Sequence, residues 1–77
     1  LPMPVEKQIA VIYCGTKGLL RDVPVEKVTD FEKEFLEKME VEYSETLKSL
    51  REGKLTDEVT QSIEQAAKEV VRNYSQH

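Results

Sequence analysis

The 77-residue chain is predicted to be all-α, a small antiparallel helical bundle of about four helices. Apolar residues recur at helical spacing through residues 24–43 and again through residues 56–74. Glycine, proline, serine and threonine separate the periodic segments at short intervals, as helix start and stop signals do. Short connections favour antiparallel neighbours, and the length fits a single domain over residues 1–77.

The composition argues against several classes of partner. Charged residues make up 34% of the chain, aromatic residues 6%, and the net charge is −4, so neither nucleic acid nor an anionic membrane surface is expected as a partner. The longest apolar run, Ile9 to Cys14, is far shorter than the roughly 20 residues that span a bilayer. One cysteine provides no disulfide framework, and no Cys/His pattern has zinc-site spacing. The chain opens on Leu1 rather than Met, which we interpret as a processed chain or a fragment.

Residues 4–14 fit either a strand or a helix. The run from Ile9 to Cys14 is short, continuous and rich in β-branched residues, which favours a strand. Pro4 at a helix start and Gly15 at its end favour a helix. The helical interpretation places Val5, Ile9, Ile12 and Tyr13 on one face, with Ala10 and Cys14 beside them.

Residues 15–23 are a predicted connection in which Gly15 and Gly18 permit a tight reversal. Leu19 and Leu20 are too apolar for a free loop, so we expect them to dock on the core or on a partner.

Residues 24–43 are the clearest helix. Asp22 is its predicted cap and Pro24 lies near its first position. Glu34 and Lys38 form a predicted i,i+4 ion pair. The expected apolar stripe consists of Val28, Phe31, Phe35 and Met39, widened by Val25 and Leu36.

Two further helices follow. Ser44 is the predicted N-cap of a short one that buries Leu47 and Leu50 and ends at Gly53. Thr56 is the predicted N-cap of the last, whose polar end at residues 73–77 is expected to fray. Its expected apolar face consists of Val59, Ile63, Ala66, Ala67, Val70 and Tyr74.

No catalytic, cofactor-binding or metal-binding residue is predicted. The loop of residues 15–18 resembles a phosphate loop, but Lys17 is followed by Gly18 and the glycine spacing is wrong. Cys14 lacks a base except His77 at the chain end, and His77 has no second metal ligand nearby, so a buried thiol is the better interpretation. A solvated face explains Glu32, Glu34, Glu37, Glu40 and Glu42, and a place at the core edge explains Tyr13, Tyr43 and Tyr74.

The stretch VEKQIAVIYCGTKGLL resembles the α subunit of F-type (rotary) ATP synthases near its C-terminus. The family pattern E-x-Q-x-x-x-(I/L)-Y-x-G-x-x-G is occupied here by Glu6, Gln8, Ile12, Tyr13, Gly15 and Gly18. The later segments PVEK, FEKEFL and GKLT continue the likeness, which covers residues 4–74. Cys14, Leu19 and Arg21 depart from the residues common in the family, at positions without a catalytic role.

The resemblance implies that residues 4–14 are helical and that these 77 residues form the end of the C-terminal domain of the α subunit. It implies a structural, non-catalytic part of the α subunit that supports proton-driven ATP synthesis in the α/β hexamer around the central stalk. The implied partners are the upstream nucleotide-binding domain, the β subunits and the central-stalk subunit. ATP or ADP and Mg would bind upstream in the full subunit, leaving no cofactor in this fragment. The implied location is peripheral, without membrane insertion, at the cytoplasmic face of a bacterial inner membrane.

The alternative hypothesis is a free-standing acidic helical adaptor that binds a partner protein through its apolar faces. A stable monomer with no larger parent would favour this adaptor. If the chain is instead a fragment cut from its neighbours, we expect the isolated chain to self-associate through apolar surface around residues 4–14 and Leu19–Leu20.

Overall fold

A computed structural model describes residues 4–75 as four α-helices and one short turn of 3₁₀-helix. The helices are α1 (Val5–Thr16), α2 (Val28–Glu42), α3 (Ser44–Arg51) and α4 (Asp57–Ser75), and the 3₁₀ turn is Val25–Lys27. No strand occurs in this part of the protein. The all-α prediction is therefore confirmed, and the ambiguous first segment is a helix.

Helix α1 ends at Thr16, two residues later than predicted. Gly15 lies within the helix, and Gly18 adopts the left-handed conformation that ends it, with φ of 71°. The backbone N–H groups of Leu19 and Gly18 donate to the carbonyls of Cys14 and Gly15 at 3.0 and 3.2 Å, which is the Schellman arrangement. Glycine serves this position because an L side chain there would be strained.

The start of α2 differs from the prediction in two ways. Pro24 precedes the 3₁₀ turn rather than α2 itself, and Asp22 makes no capping hydrogen bond in the described part of the chain. Val25 is 88% exposed, because the 3₁₀ turn aims it away from the stripe that it was predicted to widen. Phe31, Phe35 and Met39 are buried as predicted.

Glycine also ends α3, as predicted. Gly53 has φ of 81°, and the N–H of Lys54 donates to the carbonyl of Ser49 at 2.9 Å. Leu47 and Leu50 are buried, which confirms their predicted place. Ser44 is not the N-cap, because it is the first helical residue and this helix has no capping hydrogen bond from a side group.

The oxygen of Thr56 caps α4, since the N–H of Val59 donates to Thr56 Oγ1 at 3.3 Å. Asp57 and Glu58 follow in the first turn, where the helix dipole favours negative charge. The predicted fraying at residues 73–77 is wrong for residues 73–75, which are helical; residues 76 and 77 lie outside the described residues.

The buried faces of the four helices meet in one hydrophobic core. The buried face of α4 was predicted correctly except that Tyr74 is half-buried. Phe31 and Phe35 of α2 stack with their ring centroids 5.8 Å apart, and Tyr74 meets Phe31 edge-on at 6.5 Å. The core residues are Ala10, Cys14, Val23, Phe31, Phe35, Met39, Leu47, Leu50, Val59, Ile63, Ala66, Ala67 and Val70.

The core takes up the side of α1 that carries Ala10 and Cys14, which the sequence placed beside the face of Val5, Ile9, Ile12 and Tyr13. Ile9 and Tyr13 of that face also pack against the core, half-buried. Glu6, Ala10 and Cys14 are the buried residues of this helix, spaced four apart. Val5 and Ile12 are 57% and 63% exposed. The small side chains face inward because they let α1 approach its neighbours closely, which leaves large aliphatic residues on the outside.

Each of the three tyrosines donates its hydroxyl hydrogen bond to a glutamate on another helix or segment. Tyr13 of α1 donates to Glu64 of α4 at 2.6 Å. Tyr43, between α2 and α3, donates to Glu69 of α4 at 3.3 Å. The third bond runs from Tyr74 of α4 to Glu34 of α2. The tyrosines therefore lie at the core edge as predicted, with α4 engaged in every bond.

The ion pairs of α2 also differ from the prediction. Lys38 Nζ contacts Glu42 at 2.9 Å and Glu69 of α4 at 3.2 Å, not Glu34. Glu34 instead accepts the Tyr74 hydroxyl. Lys38 has a glutamate four residues before it and another four residues after it, so the i,i+4 rule allows either pair. The position of α4, whose Glu69 also contacts Lys38, decides between them.

None of the described helices combines the length and the apolar character that crossing a bilayer requires.

Replacing Phe35 with Ala should destabilise the bundle by about 3–5 kcal/mol, because the ring is fully buried and leaves a cavity. Urea unfolding followed by circular dichroism measures the change. Val25→Ala is the matched control at a mostly exposed site and should stay within about 0.5 kcal/mol of the native chain. Equal effects of the two substitutions would contradict the assigned core.

The tyrosine–glutamate bonds predict a loss of stability at alkaline pH. The hydrogen bond to Glu34 raises the pKa of Tyr74 to about 12, the bond to Glu64 raises that of Tyr13, and burial followed by Glu69 raises that of Tyr43. Raised folded-state pKa values give stability that is complete below the unfolded pKa of about 10 and is lost as the pH rises through the folded values.

Absorbance at 295 nm measures this directly, because the protein has three tyrosines and no tryptophan. The folded protein should titrate at higher pH than the same protein in urea. The triple substitution of Tyr13, Tyr43 and Tyr74 with Phe should flatten the alkaline decline of the unfolding midpoint. Coincident titrations of the folded and unfolded states would contradict the assignment.

Candidate functional site

The loop after α1 uses the backbone donors of its glycine turn internally. The N–H groups of Lys17, Gly18, Leu19 and Arg21 donate to backbone carbonyls of the same turn, at 3.0 to 3.3 Å. A phosphate-binding loop needs such groups to point at the ligand. The structure thus supplies a physical reason, beside the wrong motif spacing, to interpret residues 15–18 as a helix stop.

Cys14 is a buried thiol in an apolar setting. It is 1% exposed and belongs to the hydrophobic core. Burial, with a smaller contribution from the charge of Glu32, raises its pKa to about 12. A nucleophilic cysteine needs a lowered pKa and access to substrate, and Cys14 has neither. His77, the base considered in the sequence, lies outside the described residues.

The glutamates of α2 pair with groups on other helices and within their own. Glu40 pairs with Lys7 of α1, Glu42 with Lys38, and Glu34 with Tyr74. Between residues 4 and 75, no three acidic, histidine or cysteine side chains meet in an arrangement that could hold a metal ion. Within the described structure, Glu40 and Glu34 therefore connect α2 to other helices, whereas Glu42 pairs within α2.

The sequence did not predict the ion pair that one buried carboxylate, Glu6, forms with Arg51. Glu6 is 8% exposed and accepts hydrogen bonds from Arg51 of α3, from Nη2 at 2.9 Å and from Nε at 3.3 Å. A hydrogen bond from its own backbone N–H and the bond from Arg51 hold the pKa of Glu6 below its ordinary value. Glu6 opens the family-like motif, which was the one available signal, but nothing in the sequence pointed to Arg51 as its partner.

Glu6 and Arg51 also border a cleft of about 410 Å³ between α1 and α3. The charged side chains that line it are already engaged, Glu6 with Arg51 and Lys7 with Glu40. Because both pairs are satisfied internally, the cleft presents no unpaired charge to a ligand.

The outward face of α1 carries an apolar stripe made of Val5, Ile9 and Ile12. Val5 and Ile12 are mostly exposed, and Ile9 between them is half-buried. Leu19 and Leu20 are also half-buried and pack against the core, so they dock as expected. The stripe is the surface of α1 on which another protein segment would bury apolar area.

The thiol of Cys14 should resist alkylation while the protein is folded. Iodoacetamide at mildly alkaline pH should modify the folded protein far more slowly than the urea-unfolded protein, as followed by mass spectrometry. The double variant C14A/V25C moves the thiol to a mostly exposed position and should react at the rate of a free cysteine. Equally fast reaction of native Cys14 would contradict its burial.

Comparison with known proteins gives a consistent result. The model of the family described as ATP synthase alpha/beta chain, C terminal domain, matches residues 1–70. The ATP synthase subunit alpha of Christiangramia forsetii is 53% identical over 73 residues, which are 95% of this chain and 14% of that protein. Those of Flavobacterium johnsoniae and Phocaeicola vulgatus are 50% and 47% identical, over 96% and 95% of this chain.

The chain spans 14% of the length of each of these three relatives. No solved structure matches it. The resemblance stated from the motif at residues 5–20 is confirmed by the family model and by the relatives. The protein belongs to the family of C-terminal domains of the ATP synthase alpha and beta chains.

Proposed function

We propose that this protein is the last helical part of an ATP synthase α subunit, where it has a structural and non-catalytic role. The observation that carries the proposal is the match to bacterial α subunits along nearly all of the sequence. In this role the bundle supports proton-driven ATP synthesis in the α/β hexamer around the central stalk. The assembly lies peripherally at the cytoplasmic face of a bacterial inner membrane.

The apolar stripe on α1 supports a place inside a larger body. Val5 and Ile12 expose aliphatic surface on the same side of one helix, an arrangement that a partner would cover. In the proposed assembly that partner is the upstream part of the same subunit, and β subunits and the central stalk lie further out. In the isolated chain the stripe remains uncovered, so the expected self-association has a surface to use.

The chemistry of the side chains supports a non-catalytic role. The glycine loop uses its backbone donors internally, and Cys14 is buried with a raised pKa. Nucleotide and Mg binding therefore belong, in this proposal, to the upstream domain of the full subunit, and no residue of this chain is assigned to catalysis, cofactor or metal. The alternative of a free-standing adaptor has no support from the family or from the relatives.

A chimeric α subunit tests the proposal. The matching C-terminal segment of the Christiangramia forsetii α subunit is replaced with this chain, and the complex is assembled on membranes. We expect assembly and ATP-driven proton pumping comparable to the native complex, because an exchanged structural module keeps its contacts. A chimera that folds but fails to assemble would contradict the proposal.

The stripe on α1 is tested in the same chimera with Ile12→Glu. A charge buried at an apolar interface is costly, so assembly should fall sharply. Ile12→Leu keeps the aliphatic character and should assemble normally, and Val41→Glu places the same charge on α2 at a residue that is 81% exposed. Normal assembly of Ile12→Glu would show that the stripe is not an interface. Unchanged circular dichroism of the isolated variants separates loss of assembly from loss of folding.

A further inference from the structure

A second surface has the opposite character to the apolar stripe. A groove of about 310 Å³ lies between the loop that follows α1 and the middle of α4. Its volume accommodates a few side chains rather than a large ligand. The groove is lined by three cations, one carboxylate, two aliphatic residues and one glycine, namely Lys17, Arg21, Lys68, Asp22, Leu19, Val71 and Gly18.

The cations of this groove carry no ion pair within residues 4–75. Lys17, Arg21 and Lys68 are all exposed, whereas Lys7, Lys38, Arg51 and Lys54 each pair with a glutamate. Asp22 is the one carboxylate among the residues that line the groove. The groove is therefore a positive site on a protein whose net charge is −4.

One cation of the groove, Lys17, contacts an aromatic ring of the same helix end. The Lys17 ammonium lies 5.7 Å from the centroid of the Tyr13 ring, within the range of a cation–π interaction. The Arg21 guanidinium lies beside Gly18, where a Cβ would be in ordinary van der Waals contact with Nη2 at 3.8 Å. Lys68 projects from the regular part of α4. The ring contact of Lys17 reduces the entropy that binding a partner at this residue would cost.

The carboxylate one turn before Lys68 on α4 forms no ion pair with it in the described structure. This carboxylate, Glu64, instead accepts the Tyr13 hydroxyl at 2.6 Å. Leu19 and Val71 are half-buried and offer a small apolar contact beside the charges. The complementary ligand therefore combines carboxylates with an aliphatic residue.

We infer that this groove binds a short acidic segment of a partner protein, with carboxylates on Lys17, Arg21 and Lys68 and an aliphatic side chain on Leu19 and Val71. Charge complementarity supports this occupant. A long polyanion such as nucleic acid or an anionic membrane would also meet the negative field of the rest of the protein, whereas a short segment meets the groove alone. The inference does not depend on the proposed function, because it rests on the groove of this chain.

The test is a titration of the ¹⁵N-labelled protein with a short blocked peptide of glutamate and leucine, followed by backbone amide shifts. The shifts should be saturable, should centre on Lys17, Leu19, Lys68 and Val71, and should weaken as salt is added. The variant K17Q/R21Q/K68Q should lower the affinity about tenfold, since three charge contacts are lost.

Two controls make the result specific. The variant K27Q/K33Q/K48Q removes three positive charges at exposed positions elsewhere and should bind within about twofold of the native protein. The peptide with glutamine in place of glutamate should bind at least about tenfold more weakly.

Four outcomes would overturn the inference. If the glutamine peptide bound as tightly as the glutamate peptide, the negative charge of the peptide would not contribute to binding. Equal loss of affinity in both triple variants would show a general field effect. If inorganic phosphate or phosphatidylserine vesicles bound to these residues more tightly than the peptide, the ligand of the groove would be an anion other than a carboxylate segment. Shifts at the groove that grow with protein concentration alone would assign it to a second copy of this chain. Unchanged circular dichroism of both variants excludes unfolding as the cause.

Discussion

The burial of one face of α4 is the constraint that the other helices satisfy. Val59, Ile63, Ala66, Ala67 and Val70 recur at helical spacing and are almost completely removed from solvent. The paired alanines add little width, so neighbouring helices approach the axis of α4 closely, and α1, α2 and α3 all contact it. The polar contacts follow from this approach. All three tyrosine hydroxyls and Lys38 form bonds in which α4 takes part.

The sequence predicted α2 and α4 well and α1 poorly, for a physical reason. On α2 and α4 the large apolar residues lie on one side and charges on the other, so periodicity identifies the buried face. On α1 apolar residues lie on both sides, and the pattern cannot tell a core-facing side from one that a partner covers. The sequence grouped Ile12 with Ile9 on one apolar face, whereas the structure buries the small side chains of Ala10 and Cys14 and leaves Ile12 mostly exposed.

The polar contacts were predictable only where they are local. Thr56 as a cap and Gly53 as a stop depend on neighbouring residues, and both are confirmed. Glu6 and Arg51 are 45 positions apart, and their bond exists because the fold brings α1 beside α3. The sequence singled out Lys17 only within a rejected phosphate loop and did not bring it together with Lys68, because Lys17 and Arg21 come from the loop after α1 and Lys68 from α4. The family membership came from one motif, which periodicity and composition alone would not have supplied.

The shortness of α3 has a consequence for how the bundle unfolds. This helix has eight residues, fewer than the roughly 12–15 that an isolated helix needs to be even marginally stable in water. Helix α3 contacts all three other helices, and its Arg51 donates to Glu6 of α1. The stability of α3 therefore comes almost wholly from its contacts with the other helices. A partly unfolded state that loses α1 or α4 would lose α3 as well. Amide hydrogens of α3 are therefore expected to exchange through the opening of its neighbours, as one cooperative unit with them.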